Sequence, residues 1–155
     1  MAHEPGDPRT KGAAANVGDV YPSLTYADAA EAIDWLCRAF GFTRHAVYMG
    51  EGDSVAHAQL TYGGGMVMLG SVDNGSEYGK LMVQPDEIGL RETKGIYLVV
   101  PDADAVYATA VKAEAVMVMD IRDMDYGGRG FSCRDPEGFI WNVGSYDPWA
   151  PEPNQ

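Results

Sequence analysis

His57 is the side chain best suited by type to move a proton near neutral pH. If the stretch around it is a strand, Gln59 and Thr61 share its face, because strand side chains alternate. Ala56, Ala58 and Leu60 then form the opposite face and are expected to pack on a helix. This points His57 toward a cavity, as a general base or as a hydrogen-bonding residue of the cavity or of a dimer interface. As a metal ligand it would need partners, and only Gln59 is at hand. A second group of polar side chains runs from Asp123 to Arg129. Asp123 and Asp125 resemble a pair of acid–base carboxylates, but no partner acid or nucleophile accompanies them, and turn residues are the plainer reading. Arg129 follows the loop Tyr126-Gly127-Gly128 and either clamps an anionic group or reaches into solvent. Ser132 and Ser145 stand in no nucleophile elbow. The run Gly63-Gly64-Gly65 leads into a strand rather than a helix, so it is not a phosphate loop.

Composition sets the outer limits. The chain has 155 residues, enough for one domain with its own core, and 46% of them are apolar. No apolar run approaches the roughly 18 residues of a membrane span. The segment 1–18 is polar and rich in Ala, Gly and Pro, without the basic and apolar regions of a signal peptide, and is expected to be a flexible tail. Residues 149–155 are expected to form a second tail. The net charge of −12 excludes the basic footprint that nucleic acid requires. It could attract a cationic ligand or merely keep the protein in solution. Cys37 falls in a helical pattern and Cys133 in a strand pattern. Two reduced thiols in a cytoplasmic protein are expected in preference to a disulfide, and two cysteines are too few for a Cys metal cluster.

The elements that must position these residues occur twice. A short apolar run, an Asp and a helical stretch recur at an offset of 74 residues, from Asp28 to Asp102. The same offset carries Gly64 to Gly138 and Leu69 to Val143. Each half reads as strand, helix and three strands. The first helix has Asp28 as N-cap with Glu31 three residues on, an apolar face of Ala29, Ile33, Leu36, Cys37 and Phe40, and Gly41 as its stop. The second carries Ala103, Val106, Ala110 and Val111 on one face and has Glu114 where a stop glycine is expected. Strands are predicted at 44–49, 54–62 and 66–70, and again at 115–121, 130–134 and 139–145. The second hairpin turns at Asp135-Pro136-Glu137-Gly138. A long polar connection, 71–94, joins the halves and is expected to be functional or mobile.

Four stretches together resemble the bleomycin-resistance-like branch of the glyoxalase/bleomycin resistance/dioxygenase (vicinal oxygen chelate) superfamily. They are YPSLTYADAAEAIDWLCRAFGF from Tyr21 to Phe42, AHAQLTYGGGMVMLG from Ala56 to Gly70, DYGGR from Asp125 to Arg129 and RDPEGFIWNVGSYDP from Arg134 to Pro148. The resemblance implies an α+β fold of tandem βαβββ modules, a curved mixed β-sheet around a cavity with the helices outside. The domain would cover 19–148, with module one at 19–70, the linker at 71–94 and module two at 95–148. The resemblance also implies a homodimer in which modules from two chains share a cavity.

Metal-dependent relatives place His or Gln in the first strand of a module and Glu in the last. The corresponding residues here are Tyr21 and Gly95, and Met68 and Asn142, so the usual site is expected to be dismantled and no metal or other cofactor is expected. Alternation places Tyr21, Ser23 and Thr25, then Tyr97 and Val99, then Ile140, Asn142 and Gly144 toward the cavity. Leu24, Tyr26, Phe139, Trp141 and Val143 are left for the core, and Trp35 lies off the main helical face, for a surface or dimer contact. The ligand-binding set is thus Tyr21, Ser23, His57, Gln59, Met68, Tyr97, Arg129, Ile140 and Asn142. Its lining suits a planar or amphipathic small molecule, aromatic or cationic. The expected function is metal-independent binding of such a molecule, an antibiotic or a metabolite. Two alternatives stand beside it: a superfamily lyase, isomerase or dioxygenase working around His57, and a structural or partner-binding dimer with a vestigial cavity.

Overall fold

The computed structural model describes residues 18–151. The expected N-terminal tail, apart from Gly18, and the last four residues of the C-terminal tail lie outside them. Module one runs β1 (Ser23–Tyr26), α1 (Ala29–Phe40), β2 (Thr43–Met49), β3 (Val55–Tyr62) and β4 (Gly65–Ser71). Module two repeats it as β5 (Ile96–Val99), α2 (Ala103–Lys112), β6 (Val116–Asp123), β7 (Arg129–Arg134) and β8 (Ile140–Gly144). The fold is α+β, with two four-stranded mixed sheets ordered β1-β4-β3-β2 and β5-β8-β7-β6. Each first strand is parallel to its last, and the other pairs are antiparallel.

Local chemistry starts and stops the helices. The Asp28 carboxylate accepts the Glu31 N–H at the start of α1, and Asp102 accepts that of Ala105 at the start of α2. Gly41 ends α1 in the left-handed conformation, at φ 88°. Glu114 takes the same conformation after α2, at φ 65°, where glycine would sit without strain.

The internal repeat keeps its register at the first and last strands. Ser23 pairs with Met68, and Tyr97, 74 residues later, pairs with Asn142. The third strands slip by one. Gln59 lies beside Met68, whereas Ser132, 73 residues later, lies beside Asn142. The longer second hairpin loop absorbs the difference, running from Arg134 to Ile140 rather than from Tyr62 to Gly65. By the same slip, Gly130 stands in module two where His57 stands in module one.

One buried cluster spans both modules and joins Leu24, Tyr26, Phe40 and Leu60 to Phe131, Trp141 and Val143. Helices α1 and α2 touch each other and each covers one face of its own sheet. The helices pack on one face of each sheet, and the sheet does not close. The opposite face of each sheet is left open.

This packing corrects the expectation for Trp35, which is 2% exposed. Its Nε1 donates to the Ala113 carbonyl at 2.7 Å, and its ring meets Phe40 edge-on. A helix pressed on a sheet and on a second helix buries a wider arc than one apolar stripe. Val111, assigned to the buried face of α2, is half exposed, and that face is made by Ala103, Val106, Tyr107 and Ala110. Ala56, assigned to the core, is exposed because the β2–β3 register shifts between Tyr48 and Met49, and Val55 is buried in its place.

The linker is tied to both modules. Gln84 Nε2 donates to the Thr25 carbonyl at 2.6 Å, and its Oε1 accepts from Thr25 Oγ1. Glu92 accepts the backbone N–H of Ile140 at 2.7 Å. No described helix is long and apolar enough to cross a membrane.

Candidate ligand-binding site

Strand alternation sends Gly95, Tyr97, Ser132, Asn142 and Gly144 to the open face of module two, together with Met119 of β6 and Gly130 of β7. There they line a cavity of about 340 Å³, with Met124, Tyr126, Arg129 and Tyr146 at its rim. A recess of about 310 Å³ adjoins it, bounded by Tyr97, Tyr126, Tyr146 and Pro148. Such volumes suit a small organic ligand. The slip between modules helps explain why the hollow lies here. Through it Gly130 replaces His57 and Ser132 replaces Gln59, while at the unslipped offset Gly95, just before β5, replaces Tyr21, so small residues leave space that their module-one counterparts would fill.

Two glycines set the tyrosines. A Cβ on Gly144 would fall 2.8 Å from Tyr97 Oη and 3.2 Å from the Arg129 carbonyl. The missing side chain lets the Tyr97 ring lie flat on the strand and its hydroxyl donate to the Tyr146 carbonyl at 2.7 Å. Gly128, at φ +73°, brings its loop so near β8 that a Cβ would lie 2.8 Å from the Tyr146 nitrogen. That loop sets Tyr126 edge-on to Tyr146, with ring centroids 5.1 Å apart. Partial burial raises the Tyr97 phenol above its ordinary value, with the charges of Tyr126 and Asp147 adding to the effect and the hydrogen bond to the Tyr146 carbonyl opposing it.

Arg129 neither reaches freely into solvent nor offers a free clamp. Its Nε and one Nη donate to the Asp104 carboxylate at 3.1 and 3.2 Å, and its other Nη donates to Asp123 at 2.9 Å. These hydrogen bonds hold the guanidinium pKa above its usual value. Asp123 thus has a structural partner. Asn142 is also engaged at both ends. Its Oδ1 accepts from Ser132 Oγ at 2.6 Å and its Nδ2 donates to the Ile96 carbonyl at 3.0 Å.

The other expected binding residues are divided between two faces. Ser23, His57, Gln59 and Met68 lie on the open face of module one, with Tyr21 preceding β1. Tyr21 is 37% exposed and donates to Asp19 at 3.2 Å. His57 Nε2 lies 3.2 Å from Gln59 Nε2 and its ring stacks on Tyr48 at 6.2 Å. Among the described residues no carboxylate orients it. Tyr97, Arg129 and Asn142 line the module-two cavity, whereas Ile140 is not part of its lining. Within one chain, the two groups do not meet.

The donors at the family's metal positions decide whether an ion could be held there. A Cβ at Gly95 would lie 3.7 Å from Asn142 Nδ2, so the first-strand and last-strand positions of module two are neighbours, as a shared site requires. Gly95 supplies no donor, however, and the Asn142 amide is committed to Ser132 and Ile96. Met68 offers only a thioether. Among the described residues no three His, Cys, Asp or Glu side chains converge. The residues present do not fit the divalent ion of the metal-dependent relatives.

The alternation that reaches Gly144 continues two residues on to Tyr146, a lining residue not expected from the sequence. Met119, Met124 and Ser132 were likewise not expected, because bulges in the β6–β7 pairing reset the alternation there. The Asp135 turn has a role invisible in one strand. Its Oδ2 accepts from Tyr26 Oη at 2.7 Å and Trp141 Nε1 at 3.0 Å, and its Oδ1 accepts the N–H groups of Glu137 and Phe139. Glu137 accepts the N–H groups of Ala27 and Asp28. The turn therefore fastens module two to the β1–α1 junction of module one. Both cysteines are unpaired; burial and the nearby Asp135 push the Cys133 thiol up to about 12, which suits an inert core residue.

Comparison with known proteins bears on this arrangement. An uncharacterized protein of Mycobacterium bovis is 32% identical over 123 residues, 79% of this chain and 80% of its own. The crystal structure of TioX from Micromonospora sp. ML1 matches with a TM-score of 0.62 and 30% identity, over 81% of this chain and 98% of that one. FosX, a fosfomycin resistance protein from Listeria monocytogenes solved as a point mutant with Mn(II) and a dihydroxypropylphosphonic acid, has the same fold at 12% identity. It covers 85% of this chain and 92% of its own, with a TM-score of 0.60. The family model matches residues 20–143, and the chain belongs to the Glyoxalase/Bleomycin resistance protein/Dioxygenase superfamily.

Proposed function

We propose that the protein binds a small organic molecule on the open face of module two without a metal ion, in the manner of a bleomycin-resistance-type sequestering protein for an antibiotic or metabolite. The observation that carries this reading is the pairing of a preformed, tyrosine- and methionine-lined cavity with a family metal position occupied by Gly95 and an Asn142 hydrogen-bonded at both ends of its amide. Binding by stacking and apolar burial needs no reactive group, and the methionines let the walls adapt. Catalysis around His57 has less support, because His57 lies on the other module and has Gln59 and Tyr48, not a carboxylate, beside it.

The split of candidate binding residues over two open faces favours a homodimer, in which module one of one copy covers module two of the other. Exposed apolar residues on the outer strands, Val47, Tyr48 and Met49 on β2 and Val116 and Val118 on β6, are available to such contacts. Two free thiols suit a reducing, cytoplasmic setting.

The test is thermal-shift screening of planar and amphipathic compounds in the presence of chelator, against the native protein and Gly95→Leu. An added Cβ at Gly95 meets nothing closer than 3.7 Å, so the backbone accepts a side chain there, and leucine is chosen to occupy the cavity that Gly95 lines. Hits that stabilise the native chain and lose at least about tenfold in affinity for Gly95→Leu are expected. Hits that bind both proteins equally would place the ligand elsewhere.

A further inference from the structure

We propose that the tyrosine-lined mouth of the module-two cavity recognises an organic cation carried on a planar aromatic body; this rests on the ligand-binding reading above and specifies its ligand class. Tyr97, Tyr126 and Tyr146 converge on one recess, 40%, 61% and 38% exposed respectively. Aromatic rings gathered at one opening are the arrangement by which proteins bind quaternary and other soft cations, which are attracted to the ring quadrupole without a carboxylate contact.

Arg129 is the one cation in the cavity lining, and Asp104 and Asp123 together outnumber it. Arg122, opposite Gly130 on the outer strand β6, stands at the exposed edge of the same face, away from the tyrosine recess. Asp147 lies near enough to Tyr97 to raise its phenol. An anionic ligand would meet no cation at the tyrosine recess itself, whereas a cation there would meet aromatic rings in a chain of net charge −12. The open face of module one does not reverse this, since Ser23, Thr25, Tyr48, His57, Gln59, Met66 and Met68 include no Lys or Arg. The flat floor of Gly95, Gly130 and Gly144 beneath the aromatic rim calls for a planar body behind the charge.

Three probes with the same tricyclic plane separate charge from shape: 10-methylacridinium as cation, acridine at pH 8 as the neutral form, and anthracene-9-carboxylate as anion. Isothermal titration with the full chain is expected to give 10-methylacridinium an affinity about tenfold or more above acridine, with the carboxylate weakest. Tyr126→Leu, an exposed loop change, is expected to erase most of that preference, and Tyr126→Phe to retain it. Acridine or the carboxylate binding as tightly as the cation would overturn the cation inference while leaving a binding site in place. Saturable binding of the cation with the same preference in Tyr126→Leu would overturn the assignment to this rim. Saturation by none of the three would overturn the inference and count against the ligand-binding reading as well.

Discussion

Asp135 is a carboxylate enclosed at the seam between the modules, 4% exposed, with two side-chain and two backbone donors. Burial raises its pKa above the ordinary value while the four donors pull it back. Because the folded value is the higher one, the folded chain holds this proton more tightly than the unfolded chain does. The stability contributed by that preference is present in acid and is lost as pH rises from the unfolded value through the folded one. Replacing Asp135 with Asn turns an acceptor into an amide donor facing Tyr26 or Trp141. It is expected to cost about 1–3 kcal/mol at neutral pH, read by urea denaturation; an unchanged midpoint would contradict its role as fastener. Cys133 gives a second expectation at this scale. In native protein at pH 8 its thiol, held near pKa 12 and fully buried, is expected to stay silent to a thiol reagent until denaturant is added, while the partly exposed Cys37 reacts slowly. The turn chemistry of Asp135 was legible in the sequence. Its partners were not, since Tyr26 lies 109 positions away and only the packing of one module on the other joins them.

Strands and helices were legible wherever one rule acted alone. Period two separated Leu24 and Tyr26 from Ser23 and Thr25, and Trp141 and Val143 from Asn142, and Asp28, Asp102 and Gly41 marked helix ends. Errors arose where a second partner or a bulge intervened, as at Trp35, Ala56 and Met119. Trp35→Ala is expected to cost about 3–5 kcal/mol, because it removes a large buried ring and leaves the Ala113 carbonyl without its donor. A loss under about 1 kcal/mol would show that the helices do not pack as described. The stop of α2 offers the opposite sign. Glu114 holds a left-handed conformation that costs a non-glycine residue about 1 kcal/mol, so Glu114→Gly is expected to leave the melting temperature unchanged or raise it.

At the scale of the whole molecule, the duplication decides where function can sit. The two modules share a fold but diverge in side-chain size, so module two is hollow where His57, Gln59 and Tyr21 occupy module one, the first two through the one-residue slip at β3 and β7. The 74-residue repeat was visible in the sequence, whereas the slip was not, because it depends on the length of a hairpin loop that period-two reading cannot count. The same comparison supplies a gain-of-function check on register. With the Gly95 Cβ direction 3.7 Å from the Asn142 amide, Gly95→His together with Asn142→Glu is expected to create measurable affinity for Zn(II) or Ni(II) that the native chain lacks. Light scattering on the native protein is expected to give the mass of two chains.

The most direct measurement is metal content by mass spectrometry, on protein purified without chelator and again after soaking in Zn(II), Mn(II), Ni(II) and Fe(II) followed by desalting. The expected result is far less than one ion per chain in both samples, with ligand binding unaffected by chelator. One tightly held ion per chain, lost together with ligand binding when chelator is added, would contradict a metal-independent site and make His57 the first residue to replace.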